Sequence, residues 1–143
     1  MTHAPETTVA TTPDVDPTLV EQRRRPLFIS SALTSVLMLV MLGLGIGIAV
    51  GNHGLRDAHK GIAYLLIVVS IVATVLAHRY GRAKANLGTF FHALSLPILL
   101  LVQFAIGEVK RFDFELVHIV LGVMIAIATF ALTTLSSRRT RVG

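Results

Sequence analysis

Cysteine is absent from this 143-residue sequence, and so is tryptophan. Without cysteine there are no disulfides, no thiolate nucleophiles, no iron–sulfur ligation and no thioether attachment of c-type haem. Any metal or cofactor must be held by histidine, carboxylate or methionine. Charge is also scarce: Asp, Glu, Lys and Arg make up 15% of the chain, against 53% hydrophobic residues. A soluble surface needs about 25–35% charged residues, and the mean hydropathy of +0.72 points instead to lipid as the solvent. The sequence contains no Ser-His-Asp set, no phosphate-cradling glycine loop and no paired buried carboxylates.

The apolar residues fall into four blocks, Leu27–Val50, His59–His78, Leu87–Gly107 and Leu116–Ser136. Each is about 20 residues or longer, enough for a helix to cross a ~30 Å hydrocarbon core. The loops between them, Gly51–Ala58, Arg79–Asn86 and Glu108–Glu115, are short, so sequential helices are antiparallel neighbours. The expected fold is all-α, an up-down-up-down four-helix transmembrane bundle over residues 23–137. Residues 1–22 are rich in Thr, Pro and acidic side chains and lack hydrophobic periodicity. They are expected to form a disordered tail, dispensable through residue 20. Residues 138–143 make a short basic tail. The run Arg23-Arg24-Arg25 resembles the start of a signal peptide, but the apolar block after it is long and ends without a small-x-small cleavage site, so an anchored helix is expected.

The formal net charge is +5. The basic residues flank apolar blocks, which assigns them to membrane topology and excludes a nucleic-acid-binding domain. Arg23, Arg24, Arg25, Arg79, Arg82, Lys84, Arg138, Arg139 and Arg141 lie on one side, and only Arg56, Lys60, Lys110 and Arg111 on the other. The positive-inside rule then puts both termini in the cytoplasm and the chain in the cell membrane as a multi-pass protein. The two halves also look alike. IAVGNHGLRDAHKGIAYLL and FAIGEVKRFDFELVHIVLG each place a histidine just inside the helix that re-enters the membrane, as a hairpin duplication would.

Four histidines sit within or at the ends of the blocks, and ionisable groups in membrane spans are costly. His59 and His118 fall at the outer ends of the second and fourth helices, at matching depth. These helices are diagonal in an up-down bundle, with axes about 11–14 Å apart, so their imidazoles can approach one iron from opposite faces. His78 and His92 belong to adjacent helices, where space is tighter, and are read as structural. Ala63 and Gly122, each four residues after one of the outer histidines, leave room on the same helix faces. Gly43, Gly47 and Gly51 have the spacing of a small-residue face that could admit a porphyrin edge or dock another helix. Arg56, Lys60, Lys110 and Arg111 are placed to meet haem propionates, or else to pair with Asp57, Glu108, Asp113 and Glu115. Gln103 is expected to hydrogen-bond another helix, and Pro97 to free a carbonyl that the bundle must satisfy.

At His59-Lys60 and at His118 opening the fourth helix, the sequence resembles one four-helix half of haem A synthase. In that family, histidines at the outer ends of the second and fourth helices of each half ligate haem. The resemblance spans roughly residues 27–136. Two departures argue against synthase activity. This chain has one half where the family has two, and Arg56 stands where the catalytic half carries Glu. The pattern is also similar to small membrane-bound cytochromes b. The expected cofactor is haem b, ligated by His59 and His118, for electron transfer or haem handling with a redox partner or membrane complex. The alternative is a non-catalytic membrane subunit or assembly partner without cofactor.

Overall fold

The structure is a computed structural model, described here over residues 15–109 and 115–138. It contains four helices: α1 Pro17–Ala49, α2 Arg56–Ala83, α3 Gly88–Glu108 and α4 Glu115–Ser137, with a single 3-10 turn, His53–Leu55, ahead of α2. The packed pairs are α1 with α2, α2 with α3, α3 with α4 and α1 with α4. That is a square up-down bundle in which α2 and α4 face each other across the diagonal. All four helices are long and apolar enough to cross a membrane.

α1 starts ten residues before its apolar block. Asp16 caps it, accepting from Thr18 N at 2.8 Å, Thr18 Oγ1 at 2.7 Å and Leu19 N at 3.3 Å. Pro17 fills the first turn, where a missing N–H costs nothing. Those hydrogen bonds, the Thr18 hydroxyl first, hold the Asp16 carboxyl below the usual carboxylate range. Residues 17–22 are therefore helical, not part of a tail. Val20 is buried at 1% exposure in the apolar cluster with Leu27, Ala77, Tyr80, Ala93, Leu96 and Leu132. Removal through residue 20 would open this cluster. The rest of the expected N-terminal tail and the residues after Arg138 lie outside the described residues.

The outward faces carry large apolar side chains such as Ile29, Val68, Met124 and Ile127, each more than half exposed, as lipid-facing helices require. Inside, polar contacts join the helices. Between α1 and α4, Ser31 meets Ser136 at 2.9 Å and Ser35 meets Thr133 at 2.9 Å. Arg24, 7% exposed, donates to the carbonyls of Ser136 and Ser137 at the end of α4 and to Glu21. These partners neutralise a buried guanidinium and take up most of its N–H groups. Pro97 lacks an N–H, which leaves the carbonyl of Ala93 without its helical donor. Thr74 Oγ1 of α2 reaches it at 2.9 Å and shares its one proton between this carbonyl and that of Ser70, also at 2.9 Å.

The α2–α3 turn needs a glycine. Asn86 N bonds Gly81 O at 3.0 Å, and a Cβ on Gly81 would stand 2.8 Å from Asn86 O.

A candidate bis-histidine site

His59 and His118 are each the fourth residue of their helix, α2 and α4, which gives them equal depth at one end of the bundle. Their ring centres are 6.5 Å apart, with the planes tilted by 50°. Both rings are half-buried. Nδ1 of each is buried and has no hydrogen-bond partner. A buried polar atom left unpaired costs about 1–3 kcal/mol.

Glycines seat both rings. A Cβ on Gly45 of α1 would lie 3.5 Å from His59 Cε1, and one on Gly107 of α3 would lie 2.9 Å from His118 Cε1. In each hairpin, then, the first helix offers a glycine to the histidine of the second. Seven residues beyond each histidine, about two helical turns deeper, stand the buried Leu66 and Ile125. With Met38 of α1, Leu100 of α3 and Ala126 of α4 they form an apolar layer that draws on all four helices.

Gln103 of α3 lies between the histidines and this layer. Its Nε2 donates to His118 O at 2.7 Å, joining α3 to α4 as expected of a polar residue in a span. Its Oε1 is buried without a partner. Nδ1 of His59, Nδ1 of His118 and Oε1 of Gln103 are thus all buried without a partner at this end of the bundle, and Nδ1 of His78 is so at the other end.

Ala63 is half-buried one turn below His59. The room at Gly122 is taken by Gln103, whose Nε2 would lie 3.1 Å from a Cβ there. The glycine face Gly43/Gly47/Gly51 does not form, because α1 ends at Ala49 and Gly51 sits in the following turn at φ 102°. A Cβ on Gly43 meets nothing, and one on Gly47 would overlap Leu55. The glycine that reaches the site is Gly45, set off from that face by half a turn. Gly45 and Gly107 carry a signal in the sequence, glycines near the ends of the helices that precede the two histidines.

Of the basic residues, Lys60 is paired with Glu108 of α3 at 2.8 Å and so faces a carboxylate already. Below that pair, Tyr64 packs on Phe104 with ring centres 5.1 Å apart, which continues the α2–α3 seam. Arg56 is exposed and has no acidic partner among the described residues. Lys110, Arg111 and Asp113 lie outside the described residues, and no side-chain placement is described for Glu115. His78 and His92 have separate surroundings. His78 stands edge-on to Phe90 at 4.9 Å, and His92 Nε2 bonds Ala128 O at 2.9 Å.

The fold and its solvent-exposed apolar faces define the class: an integral membrane four-helix protein that crosses the bilayer several times. No protein-family profile, curated protein or solved structure matches the chain.

Proposed function

We propose that this protein holds haem b between His59 and His118 and serves electron transfer or haem handling. The observation that carries the reading is the 6.5 Å separation of two imidazoles whose Nδ1 atoms are buried and unpaired. A metal bound by two imidazoles on opposite faces lies about 2.0–2.1 Å from each nitrogen, and each ring centre is roughly 1.2 Å further back, so the centres stand on the order of 6.5 Å apart. Among the described residues no third His, Cys, Asp or Glu joins the pair. A bare zinc ion takes four donors, whereas a porphyrin brings four of its own and asks the protein for two. Held by His59 and His118, haem would supply one-electron chemistry.

The chain's own residues have defined tasks in this reading. His59 and His118 ligate. Gly45 and Gly107 seat the two rings, and Ala63 keeps the side chain one turn below His59 small. The Met38, Leu66, Leu100 and Ile125 layer excludes water below. Arg56 is free to meet a propionate, and Lys60 reaches one only by leaving Glu108. Lys110 and Arg111 follow Glu108 closely in sequence and are the further candidates to meet a propionate. We place the basic end, with Arg23–Arg25, Arg79 and Arg138, in the cytoplasm, which puts the histidine pair near the outer face.

The test is a pyridine haemochrome assay with reduced-minus-oxidised spectra on protein purified from haem-sufficient cells. Wild type should carry haem b, His59→Ala and His118→Ala should lose it, and His78→Ala should retain it. Haem-free wild type would sink the proposal and leave a cofactor-free membrane subunit as the function. Loss in His78→Ala alone would move the site to the other end of the bundle.

A further inference from the structure

We propose that the crevice between α1 and α2 at the basic end binds the phosphate diester of an anionic glycerophospholipid. This does not depend on the haem reading, since the crevice lies at the opposite end of the bundle. It has a volume of about 310 Å³ and is lined by Leu19, Gln22, Arg23, Pro26, Leu76 and Arg79.

The chemistry is stacked in layers. α1 runs away from the basic end and α2 runs toward it. Pro26, three residues after Arg23, and Leu76, three before Arg79, therefore both lie one turn deeper in the membrane than the arginines. Two guanidiniums sit above two apolar side chains, the order of a phospholipid's phosphate above its acyl chains. A soluble phosphate would use only the upper half.

The donors are positioned and available. Arg23 Nη1 donates to the Arg79 carbonyl at 3.2 Å, which fixes the Arg23 guanidinium across the crevice and leaves its other N–H groups unspent. The exposed Arg79 guanidinium has no partner among the described residues. Two forked cations on facing helices match the bidentate geometry of a phosphate. Pro26 adds an acceptor: it has no N–H, so the Gln22 carbonyl four residues back loses its helical donor. The matching carbonyl at Pro97 is met by Thr74, but no side chain among the described residues donates to Gln22 O.

A second crevice, between α1 and α4, is a weaker candidate. It contains Arg24, Arg25, Phe28, Ile29 and Ser137. Arg24 there is spent on Glu21 and on the end of α4, which leaves Arg25 alone. Basic pockets between transmembrane helices at the cytoplasmic face are general sites for anionic headgroups.

The test uses the full chain in a neutral detergent, titrated with phosphatidylglycerol or with phosphatidylcholine of the same acyl chains and read by native mass spectrometry. Phosphatidylglycerol should bind preferentially. Arg79→Gln, which removes a side chain bonded to nothing else, should weaken it roughly fivefold, the factor for one basic residue at an anionic surface. Arg138→Gln, the same charge loss elsewhere at this end, should leave it unchanged, and Arg79→Lys should weaken it by losing the fork. Equal binding of the two lipids, equal weakening by Arg138→Gln, or full retention in Arg79→Lys would overturn the site. Displacement of the lipid by an equimolar amount of inorganic phosphate would overturn the lipid as its occupant.

Discussion

Gly107 brings the backbone of α3 against the imidazole of His118, so close that a methyl group in place of its hydrogen would stand 2.9 Å from Cε1 and 3.4 Å from Nδ1. Its counterpart Gly45 is looser, with 3.5 Å to His59 Cε1. The two rings are held at the same depth, but only one is pressed by a neighbouring main chain.

That difference predicts an asymmetry. Gly107→Ala forces the His118 ring to shift by a few tenths of an ångström, and overpacking of this kind costs about 1–3 kcal/mol. Gly45→Ala makes an ordinary contact and removes a mid-helix glycine, so it should be neutral or stabilising by up to about 1 kcal/mol. Thermal unfolding of both variants in detergent measures this. In the haem reading, Gly107→Ala should also lower the haem retained on purification, and Gly45→Ala should not.

Thr74 carries a second prediction. Its hydroxyl is shared between the Ser70 carbonyl and the Ala93 carbonyl that Pro97 leaves unpaired. Thr74→Val keeps the shape and removes the donor, with an expected loss of about 1–3 kcal/mol. Thr74→Ser should restore most of it. Thr134→Val, at an exposed hydroxyl bonded within its own helix, should stay within about 0.5 kcal/mol.

Arg24 ties the start of α1 to the end of α4 through the carbonyls of Ser136 and Ser137. Arg24→Met should cost about 1.5–3 kcal/mol, the range for hydrogen bonds to a charged group. Arg25→Met, at the exposed neighbouring arginine, should have little effect. Comparing the two melting points separates a structural arginine from one that faces the membrane surface.

The Asp16 cap predicts a pH response at one helix end. The carboxyl is held below its unfolded value by the Thr18 hydroxyl and by the N–H groups of Thr18 and Leu19. Its contribution is fully present above the unfolded value and is lost as pH falls through the folded value. The first turn of α1 should therefore fray in acid, below the ordinary carboxylate range, as read from Cα chemical shifts of residues 17–20. Asp16→Asn keeps an acceptor without a titrating charge and should remove the pH dependence.

Topology predicts that a reporter fused at the C-terminus is active only in the cytoplasm. Activity only on the outer side would invert the bundle and place His59 and His118 at the inner face.

Composition and block length alone determined the four spans, their antiparallel order and the diagonal placement of His59 and His118. The reason is that lipid leaves an apolar chain no alternative to helices that satisfy their own backbone. The shared depth of His59 and His118 was legible because each falls near the start of a helix, and the interhelical bond of Gln103 because a lone amide in a span must find a partner. Local capping set the start of α1: Asp16 and Pro17 carry the helix past the apolar block, so a hydropathy boundary at residue 22 or 23 missed Val20 in the core. Only tertiary structure decided which glycines matter. Spacing picks out Gly43, Gly47 and Gly51, but the azimuth of α1 against α2 turns Gly45 toward His59, and Gly107 is chosen by the approach of α3 to α4. The same holds for Lys60, which is committed to Glu108 because α2 and α3 end side by side. It holds too for the pairing of Arg23 with the end of α2 and of Arg24 with the end of α4. Helix rotation and crossing are set by the sum of many small side-chain contacts between elements distant in sequence, and no single residue pattern encodes that sum.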